Sequence, residues 1–462
     1  MKEHEDNRLT AEGAVQTENK MGTLPIPRLL FGMSFPMMLS MLVQALYNIV
    51  DSIFVARFDQ KALTAVSLVF PVQTLMIAVA TSTGVGINAL LSRNLGAKKF
   101  DEANRAAGNG LLLAMISAII VSLLGFFGAG MFMQVQTDDA LIVSYGISYM
   151  QIVTACCIGL YFSITFERLL QATGRTMYSM AMQLLGAVIN IILDPILIFG
   201  YFGMPAMGIS GAAAATVIGQ IASMFLGVYF NLRKNPEIRV TAKTICPSLP
   251  IIAEIYKVGI PSFLMQAIGS VMTFLYNRIL LMFTPVAVSV FGVYFKLNSF
   301  VFMPVFGLNN GMVPIVAYNY GARNKSRIMA TIKLSAMVAV GLMLAGLAAF
   351  MIIPGQLLML FDADAQMLEI GIPALRIIGL SFSFAGYCIV IGSVFQALGN
   401  GIYSMMVSMV RQLIVLLPVA YLLATIGGLS VIWWSFPIAE IASVAMTTFL
   451  FRRIYKEKLA QL

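Results

Sequence analysis

Histidine is nearly absent from this chain, with one residue, His4, in 462. That removes the side chain most used for proton transfer near neutral pH and for transition-metal ligation, so histidine-based catalysis and zinc chemistry are excluded. Charge is scarce as well. Only 11% of the residues are Asp, Glu, Lys or Arg, against about 25% in an ordinary soluble domain. The four cysteines, Cys156, Cys157, Cys246 and Cys388, have neither metal-site nor disulfide spacing and read as packing residues. No GxxxxGK[ST] segment occurs, so energy has to come from a gradient or a partner chain rather than from ATP bound in that loop. No nucleophile–base pair stands out, which argues against an enzyme and implies no organic cofactor. The first 24 residues are polar and acidic, without the short apolar core and cleavage site of a signal peptide, and read as a disordered tail.

What is present is apolar sequence. The chain is 59% hydrophobic with mean hydropathy +0.89. Twelve apolar stretches cover 28–56, 62–92, 107–133, 141–169, 177–200, 207–232, 251–283, 287–318, 328–353, 367–397, 403–424 and 429–452. Each reaches the ~20 residues that carry a helix across a bilayer. Lipid cannot satisfy open backbone groups, and the alternation of a transmembrane barrel is missing, so the fold class is all-α membrane protein. The net charge of +9 follows from loop asymmetry. Lys20, Arg28, Arg93, Lys98, Lys99, Arg105, Arg175, Arg233, Lys234, Arg239, Lys243, Arg323, Lys325, Arg327, Arg452, Arg453, Lys456 and Lys458 fall on one side. The other side holds little beyond Arg57 and Lys61 and carries Asp138, Asp139, Asp362 and Asp364. This positive-inside pattern puts both termini in the cytoplasm of a multi-pass protein of the bacterial plasma membrane. It accounts for the basic balance without nucleic acid as a partner.

The two halves are copies at an offset of 225 residues, as Pro36 with Pro261, Gly86 with Gly311 and Gly146 with Gly371 show. The segment Asn94–Lys98 (NLGAK) recurs as Asn319–Arg323 (NYGAR), and Gln171–Ser179 (QATGRTMYS) as Gln396–Ser404 (QALGNGIYS). Six spans per copy make the copies parallel, related by a pseudo-two-fold along the membrane normal, as in many secondary transporters. The expected organisation is a tail over 1–24, a first lobe over 25–232, a linker over 233–250, a second lobe over 251–455 and a tail over 456–462. Both GA loops read as helix stops, with a left-handed glycine followed by a basic residue at a helix C-terminus.

Ionisable groups inside spans are costly and mark candidate sites. Gln44, Tyr47, Asn48 and Asp51 form a polar stripe at i, i+3, i+4 and i+7 of the first span. Asp51 is open to two readings, an interfacial aspartate wetted by headgroups or a buried functional acid. In the fifth span Asn190 and Asp194 share a face, and Pro195 frees a carbonyl. Thr216 of the sixth span lies at a similar depth, roughly 8–15 Å below the outer surface. Together Asp51, Asn190, Asp194 and Thr216 offer oxygen ligands for a proton or a hard cation such as Na⁺, with Asp51 and Asp194 as the metal-ligating pair if Na⁺ is used. The second copy lacks this set. It carries Lys296, Arg376, Arg411 and Glu440, and Glu440 is expected to pair with Lys296 or Arg376, which lie at its depth. Structural pairing and a transport role are both open for these four.

With Leu42–Val55 (LVQALYNIVDSIFV), Asn190–Ile196 (NIILDPI), the paired GA loops, the QATG/QALG pair, and Pro36 fifteen residues before Asp51, the chain resembles the multidrug and toxic compound extrusion (MATE) family over nearly its whole length. It is most similar to the MepA-like bacterial branch. That resemblance implies two six-helix lobes in a V, and export of amphipathic, mostly cationic organic compounds against entry of H⁺ or Na⁺. It places the cation site on Asp51, Asn190, Asp194 and Thr216, with Pro36 as a bending point of the first helix. A NorM-like branch carries acids in its seventh and tenth helices; here no acid occurs from Pro261 to Thr284, and the tenth span has only Glu369 near its start, which argues against a second-lobe acidic ion site of that type. The 32 Met and 31 Phe suit a repackable, promiscuous cavity that favours organic cations. Its candidate linings are Tyr161, Phe162, Met180, Met182, Met265 and Phe295, in a monomer whose partners are lipid and small drug-like molecules. A lipid-linked precursor flippase of the same superfamily and a non-transporting scaffold are the alternatives.

The loop charges generate a first test. In a background without the four native cysteines, a cysteine at Asp138 or Asp364 should react with an impermeant maleimide from outside intact cells. One at Lys98 or Lys325 should react only after the membrane is opened. External labelling at Lys98 would invert the topology.

Overall fold

A computed structural model describes residues 19–361 and 363–462. His4 and most of the expected N-terminal tail, and Asp362 of the acidic loops, lie outside the described residues. The described residues form a helical bundle whose membrane spans are α1 (Ile26–Phe58), α2 (Gln60–Gly96), α3 (Phe100–Gln136), α4 (Ala140–Ala155 and Ile158–Ala172), α5 (Thr176–Phe199), α6 (Ile209–Lys234), α7 (Leu249–Leu281), α8 (Pro285–Gly321), α9 (Lys325–Ile352), α10 (Ala365–Gly379 and Phe382–Ala397), α11 (Gly401–Gly427) and α12 (Leu429–Leu459). The fold is all-α, with twelve spans in two six-helix lobes, α1–α6 and α7–α12. α4 and α10 are pseudo-equivalent, and both bend in mid-span, by 46° and 51°.

Local chemistry sets the helix ends on the acidic side. The carboxylates of Asp59, Asp139 and Asp364 accept hydrogen bonds from the first free amides of α2, α4 and α10, at 2.8, 3.0 and 2.8 Å. Anionic caps at helix N-termini satisfy those donors and complement the helix dipole. Apolar faces point outward. On α3, Leu124, Phe127 and Met131 are 70%, 77% and 75% exposed, a stripe at helical spacing that only lipid can cover.

The lobes meet along α1 against α8 and α2 against α7 and α8, and the contact is closest at the basic end. A β-carbon on Gly96 would overlap the carbonyl of Tyr318, and one on Gly321 would overlap the carbonyl of Arg93. The repeated GA loops are thus the reciprocal contact that shuts this end, and not helix stops alone. The left-handed residues are Lys98 and Arg323 (φ 59° and 55°); Gly96 and Gly321 are helical and are needed for the approach.

Two chain-end boundaries differ from expectation. Residues 19–24, assigned to the tail, form an ordered turn (Lys20–Thr23) with Met21 fully buried. The Asn19 amide donates to the carbonyl of Thr173 in the first lobe and to Glu237 of the linker (3.1 and 2.9 Å). From the second lobe, Asn319 donates to the Met21 carbonyl (3.0 Å), and Arg327 donates to those of Met21 and Leu24 (3.0 and 2.7 Å). These bonds offset the polarity that made the segment look disordered. At the other end α12 runs on to Leu459, with Lys458 donating to the Leu398 carbonyl at 2.8 Å. The linker between lobes shortens to residues 235–248 and includes a helical turn, Ala242–Ile245.

Bulk at the glycine contact should hold this end apart. Gly96→Leu and Gly321→Leu should each lengthen the distance between spin labels at Glu102 and Ser326. Each should also cost roughly 1–3 kcal/mol of stability, the usual toll of overpacking. An unchanged distance in both would show that the glycines do not set the closure.

Candidate functional site

The first-lobe site begins with two more glycines. Gly186 of α5 and Gly219 of α6 face each other so closely that a β-carbon on Gly219 would lie 2.6 Å from the Gly186 carbonyl. One turn on, this brings Thr216 to Asn190. The Asn190 amide, oriented to satisfy both neighbours, donates to Asp194 Oδ2 (3.2 Å). It accepts from the Thr216 hydroxyl and amide (3.2 and 3.1 Å). Asp194 is fully buried, and Asn190 and Thr216 are nearly so.

α1 packs against α5 and carries Asp51 to hydrogen-bonding reach of the Asp194 carboxyl. One oxygen on each, Asp51 Oδ1 and Asp194 Oδ1, is shut off from solvent with no hydrogen-bond partner. Two bare carboxylates so placed repel each other, and a shared proton or a bound cation between them removes the repulsion. The oxygens of Asp51, Asp194, Asn190 and Thr216 are a hard-cation donor set, so the residues present fit either occupant. The structure therefore brings together all four residues expected to form the site. Asp51 is half-buried and faces a carboxyl.

The polar stripe divides. Tyr47 lies near both carboxyls, Gln44 lines the first-lobe cavity, and Asn48 is exposed. Pro36 is buried within a continuous α1, and its carbonyl accepts from Ser40 at 3.0 Å. Tyr149, held by Gln73 at 3.1 Å, adds a phenol beside the carboxyls that sequence reasoning missed.

A second missed cluster lies at the inner end of α4. Glu167 and Arg168 are 7% and 8% exposed. Gln171 and Gln183 donate to Glu167 Oε1 at 2.7 and 2.6 Å. Arg168 donates to Gln171 (2.9 Å) and, across the lobe boundary, to Asn310 of α8 (3.1 Å). The signal lay in the repeat, since Glu167 and Arg168 align with Gly392 and Ser393. A charge pair confined to one copy has no shared packing role to explain it.

The second lobe corrects one pairing. Glu440 faces Arg411 at 3.6 Å, and neither Lys296 nor Arg376. Similar depth does not put side chains on facing sides of their helices, and α12 packs on the segment of α11 that holds Arg411. Lys296 is exposed and sits 5.6 Å over the Phe361 ring, and Arg376 is exposed. Tyr276, the counterpart of Asp51, is buried among Phe291, Trp433 and Phe436 and meets Ser435 at 3.2 Å. Of the expected substrate-cavity residues, Met265 lines the cleft between the lobes. Tyr161 and Met182 are buried in core packing. Phe162 and Phe295 join aromatic clusters, and Met180 is half-buried; none of these five lines the two cavities.

The MatE family model matches residues 36–196 and 261–422, one segment in each lobe. The chain belongs to the MatE family. It is 28% identical over 420 residues to the multidrug export protein MepA of Staphylococcus haemolyticus, covering 90% of this chain and 91% of that protein. It is 27% identical over 421 residues to MepA of Staphylococcus aureus, with the same coverage. An outward-facing multidrug resistance MATE transporter of the MOP superfamily superposes with a TM-score of 0.89 at 25% identity, over 96% of this chain and 99% of that one. MATE crystallised in straight and bent conformations gives 0.89 and 0.87. A MOP transporter from Pyrococcus furiosus, described as having a binding pocket of reversed polarity, gives 0.88.

Arg168 is the counter-charge of a buried acid. Arg168→Met should cost about 3–5 kcal/mol by leaving Glu167 unpaired. Adding Glu167→Gln should return most of that loss. Thermal unfolding of the purified single and double variants checks both, and a double variant no more stable than the single would mean that charge is not the issue.

Proposed function

We propose that this chain is a secondary active exporter of amphipathic organic compounds, mostly cationic, driven by entry of H⁺ or Na⁺ at the Asp51–Asp194 pair. The carrying observation is the meeting of two membrane-buried carboxyls, each with an unpartnered oxygen, on helices from two separate segments of one lobe. Family membership and the names of the staphylococcal relatives support the transport of drugs. Among the described residues no group of three or more His, Cys, Asp or Glu could hold a metal, so a bound Na⁺ would lean on the amide of Asn190 and the hydroxyl of Thr216. The positive-inside count supports cytoplasmic termini in a bacterial plasma membrane, with the glycine-closed end inward.

The cycle follows from charge. With both carboxyls ionised, their charge reaches the adjoining first-lobe cavity of ≈ 190 Å³, whose lining includes Tyr47, Asn190 and Thr216 beside them and the Glu167 and Arg168 charges, and attracts an organic cation. A proton or Na⁺ arriving from outside cancels the repulsion between Asp51 and Asp194 and removes that attraction. α1 then repacks against α5, bending at Pro36, whose missing N–H leaves one helix bond unmade. The ion and the drug bias the same helix in opposite directions, as exchange requires.

Asp51→Asn and Asp194→Asn should each abolish gradient-driven dye export from proteoliposomes while the protein still inserts and folds. Running the assay with a pH gradient alone and then a Na⁺ gradient alone identifies the ion. Export at the original rate in either variant would remove that carboxylate from the coupling.

A further inference from the structure

The cleft between the lobes, ≈ 340 Å³, differs in kind from the first-lobe site. Its lining includes two guanidinium groups, Arg168 from the first lobe and Arg411 from the second, and no carboxylate. The rest is polar but uncharged (Gln266, Asn309, Gln396, Ser408) or apolar (Met265, Phe306, Val313). Three observations mark it as built to hold something. Asn309 is 5% exposed, yet both polar atoms of its side chain lack a partner. Arg168 is 8% exposed with its Nε unpartnered. Buried amide and guanidinium groups are seldom left so, because each forfeits the free energy of a hydrogen bond.

The third observation is backbone. α11 widens into a π-helix over Val410–Leu416. Pro418 follows, and with no N–H to give the carbonyl four residues earlier, it leaves α geometry incomplete there. Arg411 and Gln412 lie in the widened turns. Such bulges recur at functional sites because they re-aim side chains. Arg411 reaches the cleft with a side chain 29% exposed, and its contact with Glu440 is loose, 3.6 Å, to a carboxylate 7% exposed. Glu440 thus keeps a neutralising charge behind Arg411 while the guanidinium face stays available.

We propose that this cleft holds a subsite for the carboxylate of an amphipathic organic substrate, with Arg411 as its main ligand and Arg168 and Asn309 completing it. A planar guanidinium fork matches a carboxylate in two parallel hydrogen bonds, which a lysine could not reproduce. The Asn309 amide supplies a further donor, and Met265, Phe306 and Val313 meet the apolar body. The cleft volume suits one small molecule. The inference rests on the reading of the chain as an exporter of organic compounds, and it extends the substrates from cations to zwitterions and anions.

The test needs no gradient, so it stands apart from the export assay. Purified protein in phosphatidylcholine nanodiscs is titrated against rhodamine 110, which bears a carboxylate, and its methyl ester rhodamine 123, by fluorescence polarisation. Arg411→Gln should weaken the acid dye by about tenfold or more and the ester by less than about twofold, the scale of a hydrogen bond to a charged group. The double variant Arg411→Gln with Glu440→Gln, which leaves no buried charge unpaired, should give the same split. Equal loss for both dyes in the double variant, or no loss for either, overturns the proposal. Repeating the titration in phosphatidylglycerol nanodiscs should change nothing; displacement of the acid dye by that lipid, dependent on Arg411, would make the occupant a lipid headgroup and overturn it as well.

Discussion

Close approach of helix backbones at glycine governs this molecule twice over. Between the lobes, Gly96 and Gly321 bring α2 and α8 so near that each backbone meets a carbonyl of the other. Within the first lobe, Gly186 and Gly219 do the same for α5 and α6. In lipid there is little hydrophobic drive to press helices together, so small residues at the crossing decide where dispersion and hydrogen bonding can act. Two of the polar contacts described above are downstream of such crossings. Thr216 reaches Asn190 because α5 and α6 touch, and Arg168 reaches Asn310 because the lobes do.

On that shared frame the two copies have gone separate ways. Where the first lobe has Asp51, the second has Tyr276 in an aromatic cluster. Where the first has Glu167 and Arg168, the second has Gly392 and Ser393. The second lobe instead places Arg411 on a π-helical turn with Glu440 behind it. The first lobe brings two carboxyls together and sends Arg168 to the cleft; the second presents Arg411 there. Duplication kept the packing while the polar residues diverged.

The spans, the pairing of the lobes and the closeness of Asp51, Asn190, Asp194 and Thr216 were all legible from hydropathy, the 225-residue offset and the spacing of polar residues along single helices. Depth follows from residue count, and the four oxygen donors share a depth. What a helix count cannot supply is rotation about the axis. Glu440 was therefore matched to Lys296 or Arg376 by level, whereas its neighbour is Arg411. Met182 looked like a cavity residue and is packed against Phe166 and Gly227 in the core. The ordered turn at Asn19–Leu24 was hidden for a different reason. Its stability comes from partners some 150–300 residues away in sequence, Thr173, Glu237, Asn319 and Arg327, and nothing local announces them. The buried pair at Glu167 and Arg168 was readable, by subtracting one copy from the other.

That N-terminal turn has a consequence of its own. It hydrogen-bonds to both lobes at the end where they touch, so the lobes cannot part there while all its bonds survive. Either Asn19 lets go of Thr173 and Glu237, or Met21 and Leu24 lose Asn319 and Arg327. The turn thus acts as a fastener across the seam. The turn's own amides bond within it, Met21 and Gly22 to Asn19 and Leu24 to Lys20, so it keeps its fold whichever lobe it stays with.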